Sequence, residues 1–156
     1  MSPGNPTEPV PRREASHIFS VAGHVDAAFS LFDPISECDW VEGWEPVPIY
    51  PEVLSRAEGT VFTLVRDGRT AVWTVLRYSR EQHVAEYLVI EYDYQHRWIY
   101  VSCSADTDST TLVTTRYVTT ALSPAGQQDI ELYGKDFLRG WETPVQTAID
   151  RVTVQA

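Results

Sequence analysis

Four acids, Glu37, Asp39, Glu42 and Glu45, stand within one nine-residue stretch. Carboxylates at this density are what a hard cation takes as ligands. Asp39 and Glu42, however, flank Trp40 on what should be a solvated helical face, so the cluster reads as surface charge, and no metal or other cofactor is expected. Glu37 is different in kind. It can accept a hydrogen bond from a Tyr, Trp or Arg and fix its own segment, or serve as a ligand contact or acid–base group. Glu91 and Asp93 alternate with Tyr92 and Tyr94 near a strand end. If Glu91 faces inward, its pKa rises unless Arg77 or Arg116 pairs with it. If it faces outward, it is half of a cross-strand ion pair. Arg116 and Tyr117 are adjacent in a strand and point to opposite faces. Val113, Thr115, Tyr117, Thr119 and Ala121 form the inner set, which makes Tyr117 an interior polar group. His17, His24, His83 and His96 have no partner at metal-ligand spacing. There is no GxSxG, no glycine-rich phosphate loop and no HExxH. No catalytic residue is assigned. The polar chemistry open to this chain rests on Glu37, Glu91, Tyr117 and one arginine.

Strands and short helices must position these groups. Residues 1–13 hold four of the ten prolines and read as a disordered tail, leaving residues 14–156 as a single domain. His17–Val21 has strand character, and Gly23 ends it. Val25, Ala28, Phe29 and Phe32 share one face of a short helix. Asp33 and Pro34 start a second short helix, which Gly43 can end. Pro46, Pro48 and Pro51 make an irregular connection. From Thr60 to Ser123 there is no proline and only one glycine, Gly68. Five strand segments fit here: 60–66, 69–80, 84–94, 96–105 and 110–122. Asp67-Gly68 is a strong hairpin signal, and the other connections are also short, so neighbours are antiparallel. After Pro124-Ala125-Gly126 the period changes. Ile130, Tyr133, Phe137, Trp141, Val145, Ala148 and Val152 recur every three to four residues, one long helix that Pro144 should kink near Gly140–Trp141. The fold class is α+β: a curved antiparallel sheet of six or seven strands around a long C-terminal helix, with a cavity between them.

The bulk numbers agree. A chain of 156 residues favours one domain and can bury a sizeable core. Its net charge of −10 argues against nucleic acid and anionic membrane surfaces. No apolar run is long enough to span a membrane, and no signal-peptide pattern opens the chain. Cys38 and Cys103 read as reduced thiols of a cytoplasmic protein, with one bridge left open. Eleven arginines against one lysine hint at a GC-rich bacterial source. The eighteen aromatics either fill a core or line a cavity.

The element order, the stretch Phe32-Asp33-Pro34-Ile35-Ser36-Glu37-Cys38-Asp39-Trp40-Val41-Glu42-Gly43-Trp44-Glu45-Pro46, and the run from Thr115 to Ser123 leading to Gly126 resemble the START-like, or SRPBCC, superfamily with its helix-grip fold. This group holds the birch-pollen-allergen-like (Bet v 1-like) proteins and bacterial polyketide cyclase/dehydratase relatives. The resemblance covers about residues 15–153 and marks a scaffold rather than a reaction. It implies a hydrophobic ligand cavity under the terminal helix. The cavity candidates are Trp40, Trp44, Phe62, Trp73, Tyr87, Glu91, Trp98, Tyr100, Tyr117, Tyr133, Phe137 and Trp141, with Glu37 and Tyr117 as the polar site. For Trp40 and Trp44 the competing reading is scaffold packing. The expected function is binding of a hydrophobic small molecule: a lipid, polyketide or aromatic metabolite. The alternative is a cyclase/aromatase-like enzyme acting in the same cavity. Convergence of two or more polar candidates with a perturbed carboxylate would favour the enzyme. The outer sheet face leaves a homodimer open.

Overall fold

The computed structural model describes residues 11–155. The expected tail over 1–13 lies outside the described residues for positions 1–10, and Arg12 and Arg13 already belong to the first strand. That strand, β1, runs Arg12–Ala22, well beyond the five residues with obvious strand character. Pairing with the last strand extends it, since Arg12 stands opposite Thr120 and Ala22 opposite Thr110. Helix α1 (Val25–Phe29) follows, and then a single 3-10 turn, Ser36–Asp39. Asp33 caps this turn: its carboxylate accepts from the backbone N–H groups of Ile35 and Ser36 at 2.9 and 2.8 Å. It is fully buried and faces Arg56 at 3.2 Å.

The proline-rich connection is partly a strand, contrary to the sequence reading. β2 (Val47–Tyr50) pairs with β3 (Val61–Arg66) and carries Pro48. The strand is at the sheet edge, where a residue without an N–H breaks no ladder on its free side. β4 (Arg69–Ser79), β5 (Val84–Glu91), β6 (Gln95–Thr107) and β7 (Thr110–Ala121) complete a seven-stranded antiparallel sheet of order β1-β7-β6-β5-β4-β3-β2. β1 therefore closes against the last strand, not against its sequence neighbour. Register shifts at Val75/Arg77 and Ala105/Thr107 mark bulges, which bend strands and raise their twist.

The single long terminal helix is three pieces: α2 (Pro124–Gln128), α3 (Lys135–Arg139) and α4 (Glu142–Gln155). Gly134 and Gly140 bracket α3, and Pro144 sits in the first turn of α4, where its missing N–H costs no helical bond. The proline helps begin a new helix where a kink in a continuous one was expected. Trp141 lies at the break. The core fills the concave side of the sheet, where Phe19, Phe29, Phe32, Val75, Ile99, Leu138, Val145 and Ile149 pack together. Gln146 fastens α4 to β1 by accepting from the Ala22 N–H (2.8 Å) and donating to its carbonyl (3.1 Å). No helix among the described residues is long and apolar enough to cross a membrane.

Candidate functional site

Strand alternation decides which side chains reach the space under the helices. On β5, Tyr87, Val89 and Glu91 point inward; on β6, Gln95, Arg97, Ile99 and Val101 do; on β7, Val113, Thr115, Tyr117 and Thr119 do. Of these, Tyr87, Glu91, Arg97, Ile99, Val101 and Tyr117, together with α3, the α3–α4 break and the 3-10 turn, line a cavity of about 380 Å³. Its lining includes the exposed residues Glu42, Arg66, Gly140 and Pro144, which mark where it meets solvent.

Two aromatic walls bound it. On the helix side, Trp40 and Trp141 stand 6.2 Å apart, and Tyr117 contacts Tyr133 (5.8 Å), Phe137 (5.5 Å) and Trp141 (6.1 Å). On the sheet side, Trp44 packs edge-on against Trp73 at 5.2 Å, and Trp73 against Tyr87 at 6.0 Å. Phe62 is fully buried and backs this wall by stacking on Trp73 at 5.7 Å, but does not line the cavity. Three of these rings spend their polar handles on the backbone. Trp40 Nε1–H donates to the Leu31 carbonyl (2.9 Å), Trp44 Nε1–H to the Pro34 carbonyl (2.8 Å), and Tyr87 O–H to the Phe32 carbonyl (2.8 Å). These three side chains are therefore both scaffold and lining.

Trp98 and Tyr100 are corrections to the sequence reading. They alternate with Arg97, Ile99 and Val101 and so lie on the convex face, where Trp98 is 40% exposed and Arg116 stacks over its ring at 5.9 Å. Aromatic type alone did not reveal which face they occupy.

Glu37, Glu91, Arg97 and Tyr117 are buried polar groups of the lining, with Glu42 and Arg66 at its edge. Glu37 is 8% exposed, and among the described residues its carboxyl has no hydrogen-bond partner. Burial, reinforced by the nearby Asp33 carboxylate, holds its pKa well above the usual carboxylate range. Glu91 is also 8% exposed and faces inward, and it forms an ion pair with Arg97, itself 3% exposed. The expected partners are engaged elsewhere: Arg77 lies 3.9 Å from Glu86, and Arg116 lies 3.1 Å from Glu14. Arg97 also donates to Gln95 Oε1 at 2.9 Å and stacks over the Tyr133 ring at 4.2 Å. Sequence reasoning missed Arg97. Its signal was its place in the inner series Gln95, Arg97, Ile99, Val101, where two polar residues precede an apolar row. Tyr117 is 5% exposed, and burial pushes its phenol far up. Of the four clustered acids, Asp39 and Glu45 are exposed, Glu42 is exposed at the cavity edge, and only Glu37 is buried. No group of three or more His, Cys, Asp or Glu side chains among the described residues is placed to hold a metal.

Chemically, the cavity offers a carboxyl whose neutral form is favoured, a compensated ion pair and a phenol against apolar rings. It can bind a ring-bearing apolar molecule, orient one polar group of it, and exchange a proton with it.

No protein-family model and no curated protein matches the chain by sequence. Solved structures do match in shape. Norcoclaurine synthase from Thalictrum flavum, in complex with dopamine and hydroxybenzaldehyde, superposes with a TM-score of 0.67 at 11% identity, covering 92% of this chain and 87% of that one. An aromatase/cyclase from a Streptomyces species gives 0.60 at 15% identity, covering 88% and 91%. A conserved protein from Geobacillus kaustophilus gives 0.63 at 14% identity, covering 89% and 96%. A seven-stranded antiparallel sheet closed over a C-terminal helix and matched along nearly its whole length by these proteins is the helix-grip, Bet v 1-like fold of the START-like group.

Proposed function

We propose that this protein binds a small hydrophobic molecule in the cavity between the sheet and the C-terminal helices. The observation that carries the reading is the cavity itself, about 380 Å³ with both walls aromatic. Ligand pockets run from roughly 300 to 1,000 Å³, so this one sits at the compact end. Among the expected classes, an aromatic metabolite or small polyketide fits that size better than a long acyl chain. The fold supports the reading, since it is shared with an aromatase/cyclase and with a synthase solved with two aromatic compounds.

Two measurements test it. Native mass spectrometry of protein from its own host should show a co-purified small molecule. A fluorescent apolar probe should bind, and Ala71→Phe, which puts a ring into the cavity from a buried lining position, should abolish that binding in a folded protein. Undiminished probe binding by the folded A71F variant refutes the site. Arg97 is already matched by Glu91, and a ligand carboxylate would lie beside the Glu37 carboxyl and face Glu42 at the edge, so fatty acids should bind less well than their neutral analogues. Equal affinity would undo that part.

A second reading is favoured by the convergence of Glu37, Glu91, Arg97 and Tyr117 on one cavity. It is acid–base catalysis of a cyclase/aromatase type. Glu37, held protonated, would donate a proton to a ligand oxygen or accept one after loss of its own. Recovery of the co-purified molecule unchanged after prolonged incubation speaks for binding alone, and a product of altered mass speaks for the enzyme.

A further inference from the structure

Glu37 is a buried carboxyl without a counterpart among the described residues, whereas the other buried carboxylates near it are matched. Asp33, its neighbour in the segment, faces Arg56 and caps the 3-10 turn. Glu91 is matched by Arg97. The N–H groups of Trp40 and Trp44 and the hydroxyl of Tyr87 are turned to backbone carbonyls, so these side chains offer the cavity ring surface and no donor. An electron-rich ring surface attracts a cation, Trp most strongly. The hydroxyl of Tyr117, without a protein partner among the described residues, is a further acceptor on the same lining. A carboxyl, a free phenol oxygen and several aromatic faces around one small space complement a molecule that is apolar over most of its surface and carries one ammonium group.

We propose that the ligand is a compact apolar amine, of the arylalkylamine class, whose ammonium nitrogen pairs with the Glu37 carboxylate while its hydrocarbon part lies between the Trp40/Trp141 and Trp44/Trp73 walls. This deepens the binding reading above and rests on it. In the free cavity burial and Asp33 disfavour the charged form of Glu37. An arriving ammonium reverses that preference, so Glu37 releases a proton as the cation binds. Amine affinity therefore rises with pH until the free protein itself ionises Glu37, while a neutral ligand gains nothing. The ionisable groups facing Glu37 are Asp33 and Cys38 from its own segment, Tyr87 from β5 and Tyr117 from β7. Across the cavity stand Glu42, Arg66 and the Glu91–Arg97 pair. Burial pushes the Cys38 thiol and both phenols up, and none of the lining residues is a histidine.

The test uses three molecules of nearly equal size: 2-phenylethylamine, 2-phenylethanol and 3-phenylpropanoate. Each displaces a bound fluorescent apolar probe from wild type and from Glu37→Gln between pH 6 and pH 8. In wild type at pH 7.5 the amine should bind about tenfold or more tighter than the alcohol, as befits a charge-assisted hydrogen bond with little competing water, and the anion weakest. The fold of E37Q is certified independently, by a circular-dichroism spectrum and a cooperative thermal transition like those of wild type, and amine and alcohol affinities are then compared within that variant. The amine's advantage and its rise with pH should both vanish. An alcohol that binds as tightly as the amine in wild type, or an E37Q variant that keeps the amine preference, overturns the amine proposal and leaves the hydrophobic site standing. If the apolar probe itself fails to bind wild type, both readings fall together.

Discussion

Glu37 shows how one side chain ties function to stability. Its folded pKa lies above its ordinary value of 4.5, so folding holds a proton that the unfolded chain gives up. Below that ordinary value both states are protonated, and the group's full favourable contribution is present. As pH rises, the unfolded chain ionises first, and stability falls until the folded pKa is passed. One proton limits the slope to about 1.4 kcal/mol per pH unit. Urea unfolding at several pH values above 4.5 should show this decline in wild type and a shallower one in Glu37→Gln. Parallel curves would mean that Glu37 is not the buried acid described above. The Glu91–Arg97 pair makes the opposite demand. Arg97→Met would leave a buried carboxylate with no compensating charge, a loss of about 3–5 kcal/mol, and adding Glu91→Leu should recover most of it. A single variant within about 1 kcal/mol of wild type would show a pair as weak as those on open surfaces.

At the scale of elements, the helix pieces hold because their junctions are pinned. Gly126 lies against the β5–β6 turn so closely that a Cβ there would sit 1.7 Å from the Tyr94 carbonyl oxygen. Gln95 donates to the carbonyls of Gly126 (2.9 Å) and Asp129 (3.2 Å), and Tyr94 O–H donates to Asp129 Oδ2 at 2.7 Å. Gly126→Ala must push α2 off this seat. Overpacking of this kind costs about 1–3 kcal/mol, and thermal unfolding should show a matching drop in Tm. An unchanged Tm would mean that α2 is not seated there. The elements also show where sequence periodicity stops being informative. Ile130, Tyr133, Phe137, Trp141 and Val145 keep one face in register, yet Gly134 and Gly140 interrupt the helix between them. A shared face requires only that side chains point the same way, and separate helical turns along one path meet that requirement as well as a continuous helix does.

On the scale of the whole molecule, the two cysteines test which parts are open. Both are free, Cys38 exposed on the 3-10 turn and Cys103 buried on β6, where desolvation pushes its thiol up to about 12. A thiol reagent at pH 8 should modify one group in the native protein, slowly because the Cys38 thiol is also raised, and two in denaturant. Two fast native thiols would mean that β6 is not covered as described. Six of the seven strands, the antiparallel order of the meander, the Asp67-Gly68 hairpin, the inner face of β7 and the helix-grip fold were legible in the sequence, because alternation, turn chemistry and helical period are local signals, whereas β2, carrying Pro48, was not. The contents of the cavity were legible only in part. Tyr117 could be placed from its own strand, but Trp98 and Glu91 could not, since both faces of their strands carry apolar residues. Arg97 as the partner of Glu91, the solitary state of Glu37 and the outward turn of Trp98 and Tyr100 were decided by tertiary structure alone. Each depends on what the neighbouring strand or the 3-10 turn brings across several ångströms of space, and residues far apart in the chain acquire those relations only when the sheet curls over the helices.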